Sequence, residues 1–277
     1  NYSNINFSDF LWTLRSMYLP MFWTLRMDVP KADLYHCVAT GYAGILGSMA
    51  KHFHGSSLLI SDHGIYTRER EEELIKASWV KGVYKNIWIE QFKKMSLLAY
   101  ENSDMVTCLY DHARKLQIEL GCPAEKIRVT PNGINVEALA GLPGKTEEEQ
   151  QFINAGAVLR VTPIKDVKTM IQAFAFAKKR VKNIMGLADE DEKYAKECYD
   201  LVDSLGVKDV ECTGRVNVRD YLGKMDFTLL TSISEGQPLT ILESYAAHKP
   251  VITTDVGNCR ELIYGNEDGF GDAGILT

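Results

Sequence analysis

Short apolar runs alternate with helix-like stretches along most of this chain, and this alternation limits the folds open to it. Strands that are separated by helices cannot pair as tight hairpins, so they join in a parallel sheet with helices on its faces. We therefore predict an α/β protein. The elements predicted in the first part of the chain are strands at 33–38, 57–60, 105–109 and 127–129 and helices at 41–53, at 71–100 and up to Leu120.

A second alternating series begins after residue 151. Between the two series, residues 141–151 contain Pro143, Gly144 and three consecutive glutamates but no apolar period, which is typical of a linker. We predict two domains, 1–140 and 141–277. The elements predicted in the second are strands at 152–158, near 184 and at 210–212, 226–231 and 251–253 and helices at 166–179, 194–205, around 221–224 and from Pro238.

Composition excludes several classes of protein. The 277 residues are 45% hydrophobic, which supports a substantial core, and carry a net charge of −6. An acidic chain without a concentrated basic face is not typical of a nucleic-acid-binding protein, so positive charge for any bound phosphate must be local. The six cysteines are scattered without C-x-x-C spacing, which favours reduced thiols in a cytosolic protein over a disulfide framework or a zinc site.

The segment from residue 7 to residue 28 is rich in aromatic residues and methionine. Arg15, Pro20 and Arg26 interrupt it, so it does not have the uninterrupted apolar length that a membrane-spanning helix needs. We predict an amphipathic helix pair that packs on the first domain. A docking face for a membrane-bound partner is the alternative.

Residues 226–243 combine an apolar strand, a turn and the start of a helix with two carboxylates, Glu235 and Glu243. Pro238 suits the first helical position, because its missing N–H would have no acceptor there. The free N–H groups of that turn and the helix dipole form a receptor for phosphate. Seven residues separate the glutamates, about two helical turns, so both are predicted beside one crevice. A carboxylate that only caps the helix is the alternative for Glu235.

Cations are also placed where a strand ends. Arg160 and Lys165 follow the first strand of the second series, and side chains at the carboxyl ends of parallel strands reach the ligand crevice. Such a basic pair is often ordinary surface, but the two-glutamate stretch in the same domain favours a phosphate site. His63 follows a strand of the first series, where a lone histidine is usually structural.

The spacing Glu235-x7-Glu243 resembles the nucleotide-sugar motif of family 4 glycosyltransferases of the GT-B fold. The wider run 233–265 and the run 61–70 (Ser-Asp-His-Gly-Ile-Tyr-Thr-Arg-Glu-Arg) are similar to the PelF-type members of that family, which act in Pel exopolysaccharide biosynthesis. The resemblance covers nearly the whole chain. It implies two Rossmann-like, doubly wound parallel-sheet domains that face each other across a cleft.

The resemblance also implies an activity. The expected reaction is retaining, metal-independent transfer of a hexose from a UDP-sugar, UDP-glucose in the PelF type, to a growing exopolysaccharide acceptor. No cofactor is expected. The expected partners are membrane-bound synthase subunits, and the expected location is the cytoplasm, peripheral to the inner face of the membrane.

Site roles follow from the same resemblance. Glu235 is expected to contact the hydroxyls of the donor sugar and Glu243 those of the ribose. Arg160 and Lys165 are expected to clamp the diphosphate, and His63 to reach across the cleft to the donor sugar. These assignments make Glu235, His63, Arg160 and Lys165 the predicted catalytic residues.

The remaining expected contacts come mainly from backbone. Gly236 is expected to let the chain approach the sugar closely, while the N–H groups of Leu239 and Thr240 hold phosphate oxygen. Val216, in the turn Gly214-Arg215-Val216, is expected to contact uracil. Residues 189–191 form a D-x-D sequence of the kind that metal-dependent glycosyltransferases use, but an acidic first helical turn is the preferred interpretation, and no metal ligand is predicted.

Two departures from the family pattern are visible. The chain opens on a helical region without the expected first strand and glycine-rich turn, and the piece 176–186 is short for a helix, a loop and a strand. We expect residues to be missing before the chain, beyond it and internally. The alternatives to a glycosyltransferase are a UDP-sugar epimerase of the same fold and a non-catalytic nucleotide-sugar-binding subunit of a polysaccharide synthase.

Overall fold

The computed structural model describes residues 6–177, 181–189 (backbone only), 191–207, 210–265, 269 and 271–277. The chain forms two compact units, Asn1–Pro131 and Asn132–Thr277. The units divide earlier than the predicted boundary at 140/141. The physical reason is that Leu139 belongs to a buried core cluster of the second unit, together with Leu222.

The first unit is built on a four-stranded parallel sheet with the order β1-β2-β3-β4. Leu58 and Ile60 of its second strand are fully buried and form the centre of the core. Each predicted strand is present. The elements are α1 (Phe7–Leu25), β1 (Leu34–Cys37), α2 (Gly41–His54), β2 (Ser57–Asp62), α3 (Tyr66–Lys76), α4 (Val83–Asn102), β3 (Met105–Cys108), α5 (Asp111–Glu119) and β4 (Ile127–Val129).

Two helix predictions in this unit are wrong. The predicted helix 71–100 is two helices, because the chain leaves the helical path after Lys76 and Gly82 adopts a φ of +46° before α4 begins. The predicted helix pair at 7–28 is one helix, α1, which continues through Pro20. Met17 before the proline and Thr24 after it are both buried, so packing holds the helix together across the lost hydrogen bond.

Much of the apolar surface of α1 stays exposed. The side chains of Phe7, Trp12 and Trp23 are more than half exposed. Within the described residues, none of the helices combines the length and hydropathy that crossing a bilayer requires.

The second unit is built on a six-stranded parallel sheet with the order β10-β9-β8-β5-β6-β7. The predicted helix 166–179 ends at Phe176, and residues 178–180 of that prediction lie outside the described residues. The elements are α6 (Glu137–Ala140), β5 (Ile153–Val161), α7 (Val167–Phe176), β6 (Val181–Asp189), α8 (Glu192–Leu205), β7 (Val210–Cys212), α9 (Arg219–Leu222), β8 (Phe227–Leu230), α10 (Leu239–Ala246), β9 (Val251–Thr253), α11 (Cys259–Tyr264) and β10 (Gly274–Leu276).

Strand order reverses in the middle of this second sheet. The chain runs outward from β5 through β6 to β7, then returns to place β8 on the other side of β5. A β-carbon at Gly156 of β5 would lie 1.9 Å from the sulfur of Met225, so the glycine leaves the space that this buried methionine side chain fills. The loops after β5 and β8 diverge at such a reversal and leave a crevice beyond the strand ends. The predicted α/β class with parallel sheets is confirmed in both units.

Candidate functional site

A cavity of about 480 Å³ lies at the carboxyl ends of β5 and β8, inside the second unit. It is formed by the ends of these strands, the loops that follow β5, β7 and β8, and the first turn of α10. This is the crevice that the strand reversal creates. The predicted site residues that line it are Arg160, Lys165, Val216, Glu235, Leu239 and Thr240.

Positive charge is concentrated at the cavity. Its lining contains three cationic side chains, Arg160, Lys165 and Arg215, against one carboxylate, Glu235. The lining therefore has a formal charge of +3 − 1 = +2, in a chain whose net charge is −6. A concave site of this sign attracts an anionic ligand.

Lys165 and Glu235 form an ion pair in this cavity. The distance from Lys165 Nζ to Glu235 Oε1 is 2.5 Å, and the two side chains are only 17% and 11% exposed. The buried Ser232 hydroxyl donates a second hydrogen bond, also of 2.5 Å, to the same Oε1 atom. Hydrogen bonds of this charge-assisted kind are short and strong, so the carboxylate is held in one orientation.

Hydrogen bonds tie the two loops that carry the ion pair. Ile233 N donates to the carbonyl of Ile164 at 2.8 Å, and Thr231 Oγ1 donates to that of Lys165 at 3.0 Å. Directly after β9, Thr254 Oγ1 donates to the carbonyl of Ser232 at 2.6 Å. The positions of Lys165 and Glu235 are therefore fixed by the backbone as well as by their own contact.

The segment after Glu235 is packed from two sides. Gly257 has a φ of +54°, and a β-carbon there would lie 2.2 Å from the carbonyl oxygen of Glu235. Asn258 N donates to the carbonyl of Gly236 at 2.9 Å. On another side, Asn132 N donates to Oε1 of the buried Gln237 at 2.6 Å. These contacts fix the turn that leads into α10.

Helix α10 begins at Leu239, one residue later than predicted, and Pro238 occupies the cap position. The N–H groups of Leu239 and Thr240 lie in the first turn, where a helix offers no carbonyl one turn earlier. Both residues line the cavity. The first turn therefore brings backbone donors and the positive end of the helix dipole to the cation-lined crevice.

Glu243 lies one turn further along α10 and is partly buried. Burial raises the pKa of its carboxyl group above the ordinary value. Neither Glu243 nor Gly236 is among the residues that line the cavity, although Gly236 adjoins Glu235. The structure thus brings six predicted residues to one cavity and places these two beside it.

His63 belongs to the first unit, where it is exposed directly after β2. The preceding residue, Asp62, is buried, and its Oδ2 accepts hydrogen bonds from Tyr100 Oη at 2.7 Å and from Gln117 Nε2 at 3.0 Å. This network fixes the end of β2 and the start of the His63 loop. The role of His63 toward the donor remains a prediction.

The D-x-D sequence, residues 189–191, lies directly before α8. Asp191 caps this helix, and its Oδ1 accepts a hydrogen bond from Tyr194 N at 3.0 Å. Glu190 and the side chain of Asp189 lie outside the described residues. No group of three or more histidine, cysteine, aspartate or glutamate side chains suited to a metal ion occurs in the part of the chain that the structure describes.

Several site residues escape the sequence reasoning. Ser232, Thr254, Gly257 and Gln237 carry no motif of their own, yet they orient Glu235 or its loop. For Ser232 a local signal was present, since a hydroxyl three residues before a turn carboxylate is well placed to bond it, while Gln237, Thr254 and Gly257 lay in the run 233–265 without an assigned role. The other contacts depend on the tertiary fold.

Two family models divide the chain. Residues 149–275 match the model described as glycosyl transferases group 1, and residues 1–125 match a domain of unknown function, DUF3492. The first match contains the strands, loops and helix that build the cavity.

Curated relatives and solved structures agree with this match. The amylovoran biosynthesis glycosyltransferase AmsK of Erwinia amylovora is 31% identical over 176 residues, 58% of this chain and 42% of that protein. The UDP-Gal:alpha-D-GlcNAc-diphosphoundecaprenol alpha-1,3-galactosyltransferase of Escherichia coli is 25% identical over 254 residues, 87% of this chain and 62% of that protein. The structure of Anabaena HepE in complex with UDP-glucose has a TM-score of 0.66 and 22% identity, covering 88% of this chain and 64% of that chain.

These comparisons confirm the predicted GT-B fold class. The chain spans less than two thirds of the length of the curated relatives described above.

Proposed function

We propose, on the premise that residues 149–275 form a group 1 glycosyltransferase domain, that this protein transfers a hexose from a UDP-sugar to a growing polysaccharide. The observation that carries the proposal is the cavity at the strand reversal, where three cations, a carboxylate and the first turn of a helix converge. A nucleoside diphosphate sugar offers an anion to the cations and hydroxyls to the carboxylate. The cavity matches both chemistries.

The proposed mechanism begins with the leaving group. When the bond between the anomeric carbon and the diphosphate oxygen breaks, negative charge grows on the diphosphate and positive charge on the sugar ring. Arg160, Lys165 and the N–H groups of Leu239 and Thr240 stabilise the diphosphate, because fixed donors in a concave site act without reorganisation. In this proposal these groups take the part that a divalent metal plays in other transferases, and no cofactor is needed.

The remaining residues position the donor. Glu235 accepts hydrogen bonds from the sugar hydroxyls, Glu243 from the ribose, and the turn at Val216 contacts the uracil. The acceptor hydroxyl attacks the face that the diphosphate leaves, and its proton passes to the departing diphosphate oxygen, so the configuration is retained. His63 of the first unit completes the donor-sugar contacts in this proposal.

The names of similar proteins support the choice of donor. The Escherichia coli relative is a galactosyltransferase that uses UDP-Gal, and HepE is described in complex with UDP-glucose. The motif resemblance to PelF-type enzymes leads us to propose UDP-glucose as the donor and an exopolysaccharide as the acceptor. We also propose a cytoplasmic location at the inner face of the membrane, with the exposed aromatic residues of α1 meeting membrane-bound synthase subunits.

Calorimetric titration with UDP, GDP and ADP in the presence of EDTA tests the nucleotide and the metal together. The proposal predicts that UDP binds most tightly and that EDTA does not weaken it. Product analysis with UDP-glucose and a polysaccharide acceptor then tests the transfer. Equal binding of all three nucleotides, or UDP binding that requires a divalent cation, would contradict the proposal.

A further inference from the structure

The ion pair in the cavity poses a problem for a ligand that needs Lys165. Its ammonium group lies 2.5 Å from Glu235 Oε1, and both side chains are largely buried. A diphosphate that binds Lys165 must therefore displace a carboxylate that already neutralises it. This inference depends on the proposed function, since it concerns what the donor does on entering the same cavity.

We propose that Lys165 and Glu235 form an exchangeable pair, in which the diphosphate of the nucleotide takes Lys165 and thereby releases Glu235 Oε1 for the hydroxyls of the donor sugar. Phosphate recognition and sugar recognition are then coupled through one side-chain contact. A ligand without phosphate leaves the pair closed. The pair thus makes Glu235 fully available only to a ligand that also carries the phosphate group.

Ser232 keeps Glu235 in place during the exchange. Its hydroxyl donates to the same Oε1 atom, it is fully buried, and its own carbonyl is held by Thr254. A carboxylate oxygen accepts more than one hydrogen bond, so the departure of Lys165 opens an acceptor position while Ser232 retains the other. The exchange therefore changes the partner of Glu235 and not its position.

The cavity remains attractive to an anion while the pair is closed. Arg215 also lines it, so a cation outside the Lys165 pair is present before Lys165 becomes available. A diphosphate drawn in by this positive charge meets the Lys165 pair inside the same cavity. The carboxylate of Glu235 therefore weakens the binding of UDP without a sugar, because it competes for Lys165, but it assists the binding of a UDP-sugar.

Glu235→Gln separates these two effects. The amide retains an oxygen that accepts the Ser232 hydrogen bond but lacks the charge that holds Lys165. We expect UDP to bind about fivefold more tightly than to the unchanged protein, as the loss of a competing ion pair allows. We expect sugar transfer from the UDP-sugar to fall at least about tenfold, because a charged acceptor for the hydroxyls is lost.

A thermodynamic cycle and a matched variant complete the test. In a Lys165→Met background, Glu235→Gln should no longer raise UDP affinity, because the pair is already absent. Ser232→Ala leaves the pair intact, so UDP affinity should stay within about twofold of the original. It removes the hydroxyl that holds Glu235, so kcat for transfer should fall, and Ser232→Thr should restore kcat. If Glu235→Gln does not fold, Glu235→Ala is titrated in its place with the same expectation.

The outcomes distinguish this inference from the proposed function. If the unchanged protein binds UDP but Glu235→Gln binds it equally or more weakly, the exchange is overturned while the function stands. If Glu235→Gln raises affinity equally in the Lys165→Met background, the gain does not come from the pair and the exchange is also overturned. If the unchanged protein does not bind UDP, the proposed function itself fails.

Discussion

Glu243 is a carboxylate in a place that does not favour its charge. It is partly buried on α10, and burial raises its pKa above the ordinary carboxyl value of about 4.3. The folded protein therefore holds this proton more tightly than the unfolded chain. As the pH rises from the ordinary value through the raised one, stability is lost, and the cost is fully present above the raised value. A site that must bind polar ligand atoms commonly carries such a cost.

Glu243→Gln should remove that cost at pH 7. We expect a gain in unfolding free energy of less than about 1 kcal/mol, since partial burial leaves solvent screening, and no gain below about pH 4. Glu211→Gln on the edge strand β7, where the side chain is exposed, is the matched control and should change little. Urea denaturation at both pH values measures the difference. An equal gain in unfolding free energy at the two pH values would show that burial of the Glu243 charge does not cause the gain.

Asp62 is a second buried carboxylate whose pKa burial raises, but its Oδ2 atom accepts hydrogen bonds from two neighbouring side chains. Asp62→Ala leaves the hydroxyl of Tyr100 and the amide of Gln117 without this acceptor, so we expect a loss of about 2–3 kcal/mol in unfolding free energy. Asp62→Asn keeps an acceptor oxygen and should lose much less. Chemical denaturation of the two variants makes the comparison. Equal losses would mean that the charge, and not the hydrogen bonds, holds the end of β2.

At the scale of elements, the alternating apolar runs were sufficient to predict every strand of the first unit and the parallel pairing of both sheets. Two helical segments were predicted incorrectly, one because packing overrides a sequence signal and the other because a proline signal is missing. A proline usually ends a helix, but the buried residues on either side of Pro20 keep α1 continuous. The break after Lys76 has no proline to announce it.

The cavity was predictable only in part, because several of its contacts join residues that are distant in sequence. Arg160, Lys165 and Glu235 follow strands, and strand ends gather in a parallel sheet, so their neighbourhood could be expected. Their pairing could not, since Lys165 and Glu235 are separated by 70 positions in sequence. The supports from Ser232 and Gly257 likewise arise only when the loops are packed together.

The contact between the loop after β9 and the loop after β8 gives a prediction at this scale. Gly257, after β9, has a left-handed backbone conformation, and Gly257→Ala places a β-carbon 2.2 Å from the carbonyl oxygen of Glu235, after β8. The Glu235 loop must therefore move. We expect UDP affinity to fall at least about tenfold, since the donors of a site must be held within a fraction of an ångström. Gly206→Ala is the control, because its φ of +62° is similar but nothing lies within 4 Å of the added carbon. It should cost about 1 kcal/mol of stability and leave affinity unchanged. Equal affinities in the two variants would contradict this account of Gly257.

At the scale of the whole molecule, a chain with a net charge of −6 is proposed to bind a diphosphate. The overall charge opposes such a ligand, and the +2 lining of the cavity must overcome it locally. Residues 149–275, which match the glycosyl transferases group 1 model, contain the cavity that we propose for the donor. The central claim is that this cavity, through Lys165, is a diphosphate site.

Titration of UDP into Lys165→Met and Lys168→Met, with the unchanged protein alongside, tests that claim most directly. Lys168 lies outside the cavity lining and pairs with Glu197 at 2.7 Å, so it matches Lys165 in charge but not in position. The account predicts that Lys165→Met weakens UDP binding at least about tenfold while Lys168→Met leaves it within about twofold. UDP affinity that is retained in Lys165→Met, or lost equally in both variants, would contradict it.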